Sequence, residues 1–170
     1  MKISIITVAF NAAHTIADTL ESVATQSHPD IEHIVVDGAS TDGTLDVIRR
    51  HGERVARLIS EPDHGIYDAM NKGLRLATGA VIGFLNADDV YADAEVLARV
   101  SAVLERGGLD ALFGDAEFVS PARPDRPLRR YRSERFRPDR IAWGWMPAHP
   151  TLFLRRHVYE RFGTFRTDYR

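Results

Sequence analysis

The chain predicts an α/β fold with a mainly parallel, Rossmann-like sheet and helices on both faces. Two observations carry this. Short apolar, β-branched runs alternate with segments of helical periodicity between Lys2 and Gly108, the pattern of strands buried on both faces and joined by helical crossovers. Each of the first four runs is followed by a polar loop, "TVAFNAAH", "DGASTDGT", "EPDHG" and "NADDV". In such sheets the ligand crevice lies beyond the carboxyl ends of the strands, so all four loops should meet at one edge.

Each element has its own justification. "KISIITV" has strand length, and "AAHTIADTLESVATQ" follows with Ile16, Leu20, Val23 and Ala24 at helical spacing. "HIVVDG" is a second buried strand ending at Asp37, "TLDVIRRH" a helix and "RVARLISE" a third strand. "GIYDAMNKGLRLAT" is a helix stopped by Gly79, and "AVIGFLN" is the fourth strand. "AEVLARVSAVLERGG" is a helix closed by glycine, with Asp93 placed to cap its start. "DALFGDAEFV" is the fifth strand region. Then "SPARPDRPLRRYRSERFRPDR" carries four prolines and eight arginines against three acids. It fits a solvated hairpin or mobile loop, or a flap over an acidic or phosphorylated ligand. "IAWGWMPAHPTLFLRR" returns to apolar character, with a short strand near Thr151 to Leu154 and a helix from Arg156 to Phe162.

Composition narrows the function. At 170 residues, 44% hydrophobic and 27% charged, the chain has the make-up of one soluble globular domain. A net charge of −2 gives no global field toward nucleic acid or an anionic membrane. The absence of cysteine excludes disulfides, thiolate metal sites and a Cys nucleophile, in keeping with a reducing cytoplasm. "ISIITVAF" is too short and too soon polar for a signal peptide, and no run has the length of a membrane span. The first loop lacks the glycines of a dinucleotide fingerprint, and neither a P-loop nor a G-x-S-x-G elbow occurs. None of the seven histidines has zinc-ligand spacing.

Chemistry concentrates in the strand-end loops. Asp88 and Asp89 stand side by side where the fourth strand emerges. Adjacent like charges repel, and they become comfortable by sharing a divalent cation; hard oxygen ligands suit Mg²⁺ or Mn²⁺ together with substrate phosphates. Asp37, an acceptor-only carboxylate at a strand end, suits the imide N–H of uracil or the amide edge of guanine, while Ser40, Thr41, Asp42 and Gly43 suit a turn. Asp63 lies in a loop facing the crevice, and the amides of Gly65 and Ile66 suit a phosphate or hydroxyl. Asp68 and Lys72 have the spacing of a helix-surface ion pair. His149 in "MPAHP" is either a buried, hydrogen-bonded histidine or a ligand-side group. Trp143 and Trp145 suit core packing or stacking on a sugar ring.

With these pieces in order, the chain resembles a family 2 glycosyltransferase of the GT-A fold, of the bacterial type that builds polysaccharide, surface and lipid-linked glycans. The resemblance rests on "SIITVAFN", "ESVATQSHPDIEHIVVDGASTDGT", "SEPDHGIYDAMNKGLRLATGAVIGFLNADD" and "AHPTLFLRR". It implies that Thr7, Ala9 and Asn11 hold the nucleotide base and ribose, and that Asp37 bonds the base. It also implies that Asp63 contacts the donor, that Asp88 lies near the ribose, and that Asp89 binds Mg²⁺ or Mn²⁺. Asn86 takes the place of the motif's usual first acid, and His149 matches an acceptor-side histidine.

The implied activity is inverting transfer of a sugar from a nucleotide-diphosphate sugar, UDP-sugar favoured, to a glycan or lipid-linked acceptor. Residues 1–170 then form a single domain, with a donor-binding half at 1–119 and a partial acceptor-side half at 120–170. The family's base falls in an "ADYE"-like segment past Arg170, so no catalytic base is assigned, and the C-terminal part is expected to be truncated. That would leave Phe153, Phe162 or Phe165 partly exposed and open a route to self-association. Cytoplasmic localisation, at the inner face of a membrane with peripheral association, accompanies a lipid-linked acceptor; no nucleic-acid partner is expected. Two rivals remain: a non-catalytic nucleotide-sugar-binding module, and a nucleotidyltransferase, which would need a Gly-rich basic loop after the first strand.

Overall fold

The computed structural model describes residues 1–168 apart from Pro121 and Pro124. Its centre is a six-stranded sheet of order β3-β2-β1-β4-β8-β5. β1 (Ile3–Ala9), β2 (Ile31–Asp37), β3 (Val55–Ser60) and β4 (Val81–Phe84) run parallel. β8 (Phe153–Arg155) lies antiparallel between β4 and β5 (Ala111–Leu112). The crossovers are α1 (Ile16–Ala24), α2 (Thr44–His51) and α3 (Ile66–Leu76), with α4 (Val96–Gly107) after β4 and α5 (Arg156–Phe162) after β8.

Strand alternation sorts the apolar side chains between two faces. Ile6, Val8, Ile34, Val36 and Phe84 pack against Ala69, Met70 and Leu74 of α3. Ile3, Ile5 and Val81 face Leu97, Val100 and Leu104 of α4 on the other side. Full burial of each such side chain contributes roughly 1.5–3 kcal/mol. Gly73 lets α3 approach β1: a Cβ there would stand 2.4 Å from Ile6 Cγ2.

Buried polar groups are mostly answered. Glu32 accepts from Ser4 Oγ (2.6 Å) and from the Thr78 amide (2.7 Å) and hydroxyl (2.9 Å), with Lys2 at 3.4 Å. Burial alone would raise its pKa; these donors and Lys2 instead hold it down at about 2. His33 is buried in the sheet against Thr7 Oγ1 (3.0 Å), and burial lowers its pKa to about 4.

Three expectations need correction. The fifth strand region is two strands: Gly114 and Asp115 separate β5, an edge strand of the main sheet, from β6 (Ala116–Phe118). β6 pairs with β7 (Arg129–Tyr131) in a separate hairpin, which is the solvated form of the arginine-rich segment. β3 is the opposite edge strand, largely exposed rather than buried. Asp93 accepts from the Glu95 amide (2.8 Å), one residue ahead of α4, while Gln26 Oε1 takes the Leu97 amide inside its first turn (3.0 Å). Of the three phenylalanines, Phe153 is buried beneath Gly83, Phe165 is half-buried and Phe162 is exposed. No helix among the described residues is long and apolar enough to cross a membrane.

Candidate functional site

From β1 the chain builds outward through β2 to β3, then returns to add β4 on the other side of β1. The carboxyl edge at this reversal is where open α/β sheets bind ligands. A cleft of about 820 Å³ opens there, lined by Phe10, Asn11, Gly38, Asp63, Asn86 and Asp88 among others. All four polar loops do meet at one edge.

Loops one and two are laced together. The Asn11 amide donates to Ser40 Oγ (2.8 Å), Ala12 to Thr44 Oγ1 (2.8 Å) and Ala13 to Asp42 Oδ2 (3.0 Å). Asn11 Oδ1 accepts in return from the Thr41 amide (3.0 Å). Asn11 and Ala39 both hold left-handed backbone, φ 50° and 61°, a strained conformation that persists only where neighbours over-determine it. These bonds supply that constraint.

Loop three is held from below. Lys72 is buried; its Nζ reaches Pro62 O (2.6 Å) and Glu61 (2.9 Å), with Asp68 only at 3.8 Å. The expected helix-surface pair is therefore a minor part of a clamp on the loop. Asp63 Oδ1 accepts from the Gly65 amide (2.8 Å), so that amide is already engaged and is not free for a ligand. Asp63 Oδ2 rests over Gly38, where a Cβ would come within 2.4 Å of it and within 3.3 Å of the Phe10 ring.

The fourth loop is a tight turn. The Asp89 amide donates to Asn86 O (3.0 Å), and Thr19 of α1 donates to Asp89 O (2.9 Å). Asp88 is exposed on the cleft wall, and Asp89 is half-buried behind it. Burial, then the adjacent Asp88 charge, pushes the Asp89 carboxyl up to about 6. Asn86 Oδ1 is buried beside this pair with no hydrogen-bond partner among the described residues. Among the described residues no cluster of three or more His, Cys, Asp or Glu could hold a metal ion. Two adjacent carboxylates still fit Mg²⁺ or Mn²⁺, which are commonly held by one or two carboxylates and complete their shell with phosphate oxygens and water.

Two residues expected to touch the donor have buried side chains. The Thr7 side chain is fully buried and bonded to His33, so it does not reach the cleft. Asp37 is also fully buried. Its carboxylate accepts from the Ser40 amide (3.1 Å), Ser60 Oγ (2.7 Å) and Ser40 Oγ, binding loop two to the end of β3. Ala9 and Asn11 do line the cleft, as do Asp63, Asn86 and Asp88. Phe10, exposed by 66% on the lip, was missed; an aromatic between an apolar strand and Asn11 was the available signal.

His149 belongs to neither of its two expected settings in full. Its ring packs 5.5 Å from Phe84 and 5.8 Å from Phe165, and burial lowers its pKa. Its Nε2 is buried without a partner among the described residues. Trp145 packs on Tyr131 and Phe136, whereas Trp143 is exposed. Asp168 is paired with Arg166.

Residues 4–163 match the family described as Glycosyl transferase family 2. The chain belongs to that family. A PGL/p-HBAD biosynthesis glycosyltransferase of Mycobacterium bovis is 36% identical to this family 2 chain over 173 aligned positions. That alignment covers 98% of the chain and 64% of the mycobacterial protein, so the chain spans under two-thirds of the length of the curated relatives it matches. A mannosyltransferase of Pyrobaculum calidifontis, solved with GDP-Man and Mn²⁺, superposes with a TM-score of 0.75 at 25% identity, over 98% of this chain and 48% of that one. S. aureus TarS, solved with UDP, superposes at 0.80 and 23% identity over 99% of this chain and 51% of that one, a likeness of fold. The architecture of this family 2 chain is GT-A.

Proposed function

We propose that this chain binds the diphosphate of a nucleotide sugar in the switch-point cleft, as the donor half of a glycosyltransferase. The single observation that carries the reading is the Asn86–Asp89 turn. It sets exposed Asp88 on the cleft wall with half-buried Asp89 behind it, and a buried amide oxygen with no hydrogen-bond partner among the described residues, where the sheet reverses its order. Ala9, Asn11 and Asp63 form the nucleotide-facing walls, and Asp37 supports them through Ser40 and Ser60.

Asp89, with Asp88 beside it, would hold Mg²⁺ or Mn²⁺. The ion's contribution when bound is to take up charge from the leaving diphosphate. The chain's own residues orient the donor. Asn86 Oδ1 accepts from a donor hydroxyl, and Phe10 gives one lip of the cleft a flat apolar surface. His149 faces the acceptor side. No residue in 1–168 is assigned as the base that would deprotonate an acceptor hydroxyl. The acceptor in this reading is a glycan or lipid-linked glycan, with UDP-sugar as the favoured donor and work at the cytoplasmic face of a membrane.

The test is a thermal-shift panel of UDP-, GDP- and dTDP-sugars with and without Mn²⁺, because a ligand that binds only the folded state raises its melting temperature by mass action. A metal-dependent shift with at least one donor is expected. No shift with any of them overturns the reading.

A further inference from the structure

The arginine-rich segment lies outside the donor cleft. Residues 120–140 carry eight Arg against three acids while the whole chain nets −2, so positive charge is gathered on one part of an otherwise acidic molecule. Arg130 is paired with Glu117 (2.7 Å), Arg132 with Glu134 (3.5 Å) and Arg137 with Asp139 (3.9 Å). Arg126, Arg135 and Arg140 have no carboxylate partner among the described residues.

The same region exposes large apolar side chains: Trp143 by 88%, Leu128 by 76%, Met146 by 58% and Phe118 by 56%. Contacts knit them into one subregion. The Leu128 amide donates to Phe118 O (2.7 Å), and the Arg129 guanidinium lies 5.7 Å over the Phe118 ring. Tyr131 Oη donates to Met146 O (2.8 Å), and Trp145 packs 5.2 Å from Tyr131 and 5.6 Å from Phe136. In the 3₁₀-helix Pro138–Trp143, residues three apart eclipse, so Arg140 and Trp143 share one edge.

We propose that this arginine–tryptophan face docks the chain on an anionic lipid surface. The unpaired guanidinium groups meet headgroup phosphates, two of whose oxygens the planar donor fork can engage at once. Trp143, Leu128 and Met146 sink to the headgroup–acyl boundary, where an amphipathic indole is at home. Interfacial binding grows with apolar area and with attraction to anionic lipid, and this face supplies both. A phosphodiester backbone would use the arginines but leave Leu128 and Met146 in water. None of these residues lines the donor cleft, so docking and donor binding fail or hold independently.

The experiment is co-sedimentation of the chain with phosphatidylcholine vesicles made with and without phosphatidylglycerol. Binding should be at least about tenfold tighter with the anionic lipid, weaken in high salt, and shift Trp emission to the blue. Trp143→Ser and the double change Arg135→Glu/Arg140→Glu should each lower vesicle binding roughly tenfold with melting temperature unchanged. All three side chains are exposed, so folding should survive. Equal binding to neutral vesicles, no binding to either, or binding unmoved by both variants overturns the proposal. So does tighter capture by duplex DNA or RNA than by anionic vesicles, or a stable dimer that Trp143→Ser dissolves while vesicle binding stays absent.

Discussion

Asn71 holds the backbone of Phe165 with both ends of its amide: Nδ2 donates to Phe165 O at 2.8 Å, and the Phe165 amide donates to Oδ1 at 2.9 Å. The pair spans 94 positions of sequence and straps the C-terminal segment across α3. Phe165 is thereby pressed against Tyr67 (5.6 Å), Phe84 (5.3 Å) and His149 (5.8 Å). His149 thus takes part of its burial from a ring that Asn71 holds in place.

Asn71→Leu removes both bonds and leaves the Phe165 polar groups unanswered, at a cost of about 1–3 kcal/mol. Hydrogen exchange at Phe165 should accelerate. The His149 pKa should climb back toward its ordinary value, since burial is what lowers it. An NMR titration checks this, and an unmoved His149 would show that Phe84 alone buries it.

Asp89→Asn keeps the shape of the turn and removes one of two adjacent charges. The ligand-free protein should melt at the same or a higher temperature at neutral pH, because the charged Asp89 is held at a disadvantage by burial and by Asp88. Mn²⁺ should then no longer strengthen UDP binding. Retained metal enhancement in a calorimetric titration would remove Asp89 from the metal-holding role.

Asp37→Ala separates a positioning role from a base-reading one. Ser40 and Ser60 lose their acceptor, so stability should fall by about 1.5–3 kcal/mol. Loops one and two should loosen together, because Ser40 also receives the Asn11 amide. A variant of unchanged stability that discriminates UDP from CDP less well would instead favour direct contact with the base.

Gly38→Ala puts a methyl group where Asp63 Oδ2 would lie 2.4 Å away. Asp63 can swing out, so the fold should survive while the cleft wall is displaced. Donor affinity is expected to drop about tenfold, equivalent to about 1.4 kcal/mol. Denaturation and nucleotide titration of the same sample separate the two effects.

Acid should remove stability at two groups, against a gain at Asp89, whose carboxyl, raised to about 6, takes up a proton in the folded state before it does in the unfolded chain. The folded-state pKa of His33 is about 4 against an ordinary 6.5, so the unfolded chain binds more protons between those values. Stability is therefore full above pH 6.5 and is lost as pH falls toward 4, by up to roughly 3 kcal/mol. Glu32, at about 2 against 4.5, adds a second loss as pH falls from 4.5 toward 2. Denaturant melts of the Asp89→Asn protein, which lacks the opposing carboxyl, should show both losses, and adding His33→Gln to it should flatten the first alone. Parallel curves for the two proteins would exclude His33 as the source.

The order of strands and helices, and the meeting of four loops at one edge, were legible because periodicity and turn residues are local signals. α5 appears at the predicted Arg156–Phe162, and "NADDV" leaves the sheet at its carboxyl edge. What sequence by itself determined was therefore which segments form the first four strands and which polar residues stand at their ends. It did not determine which way each of those side chains turns. Thr7 and Asp37 have the residue types and positions of ligand contacts, and only the folded chain shows that their side chains bond His33, Ser40 and Ser60. The split of β5 from β6, the antiparallel β8 and the strap on His149 likewise depend on partners distant in sequence. A buried polar group takes whichever donor or acceptor the finished packing brings within about 3 Å, and only the tertiary structure decides which that is.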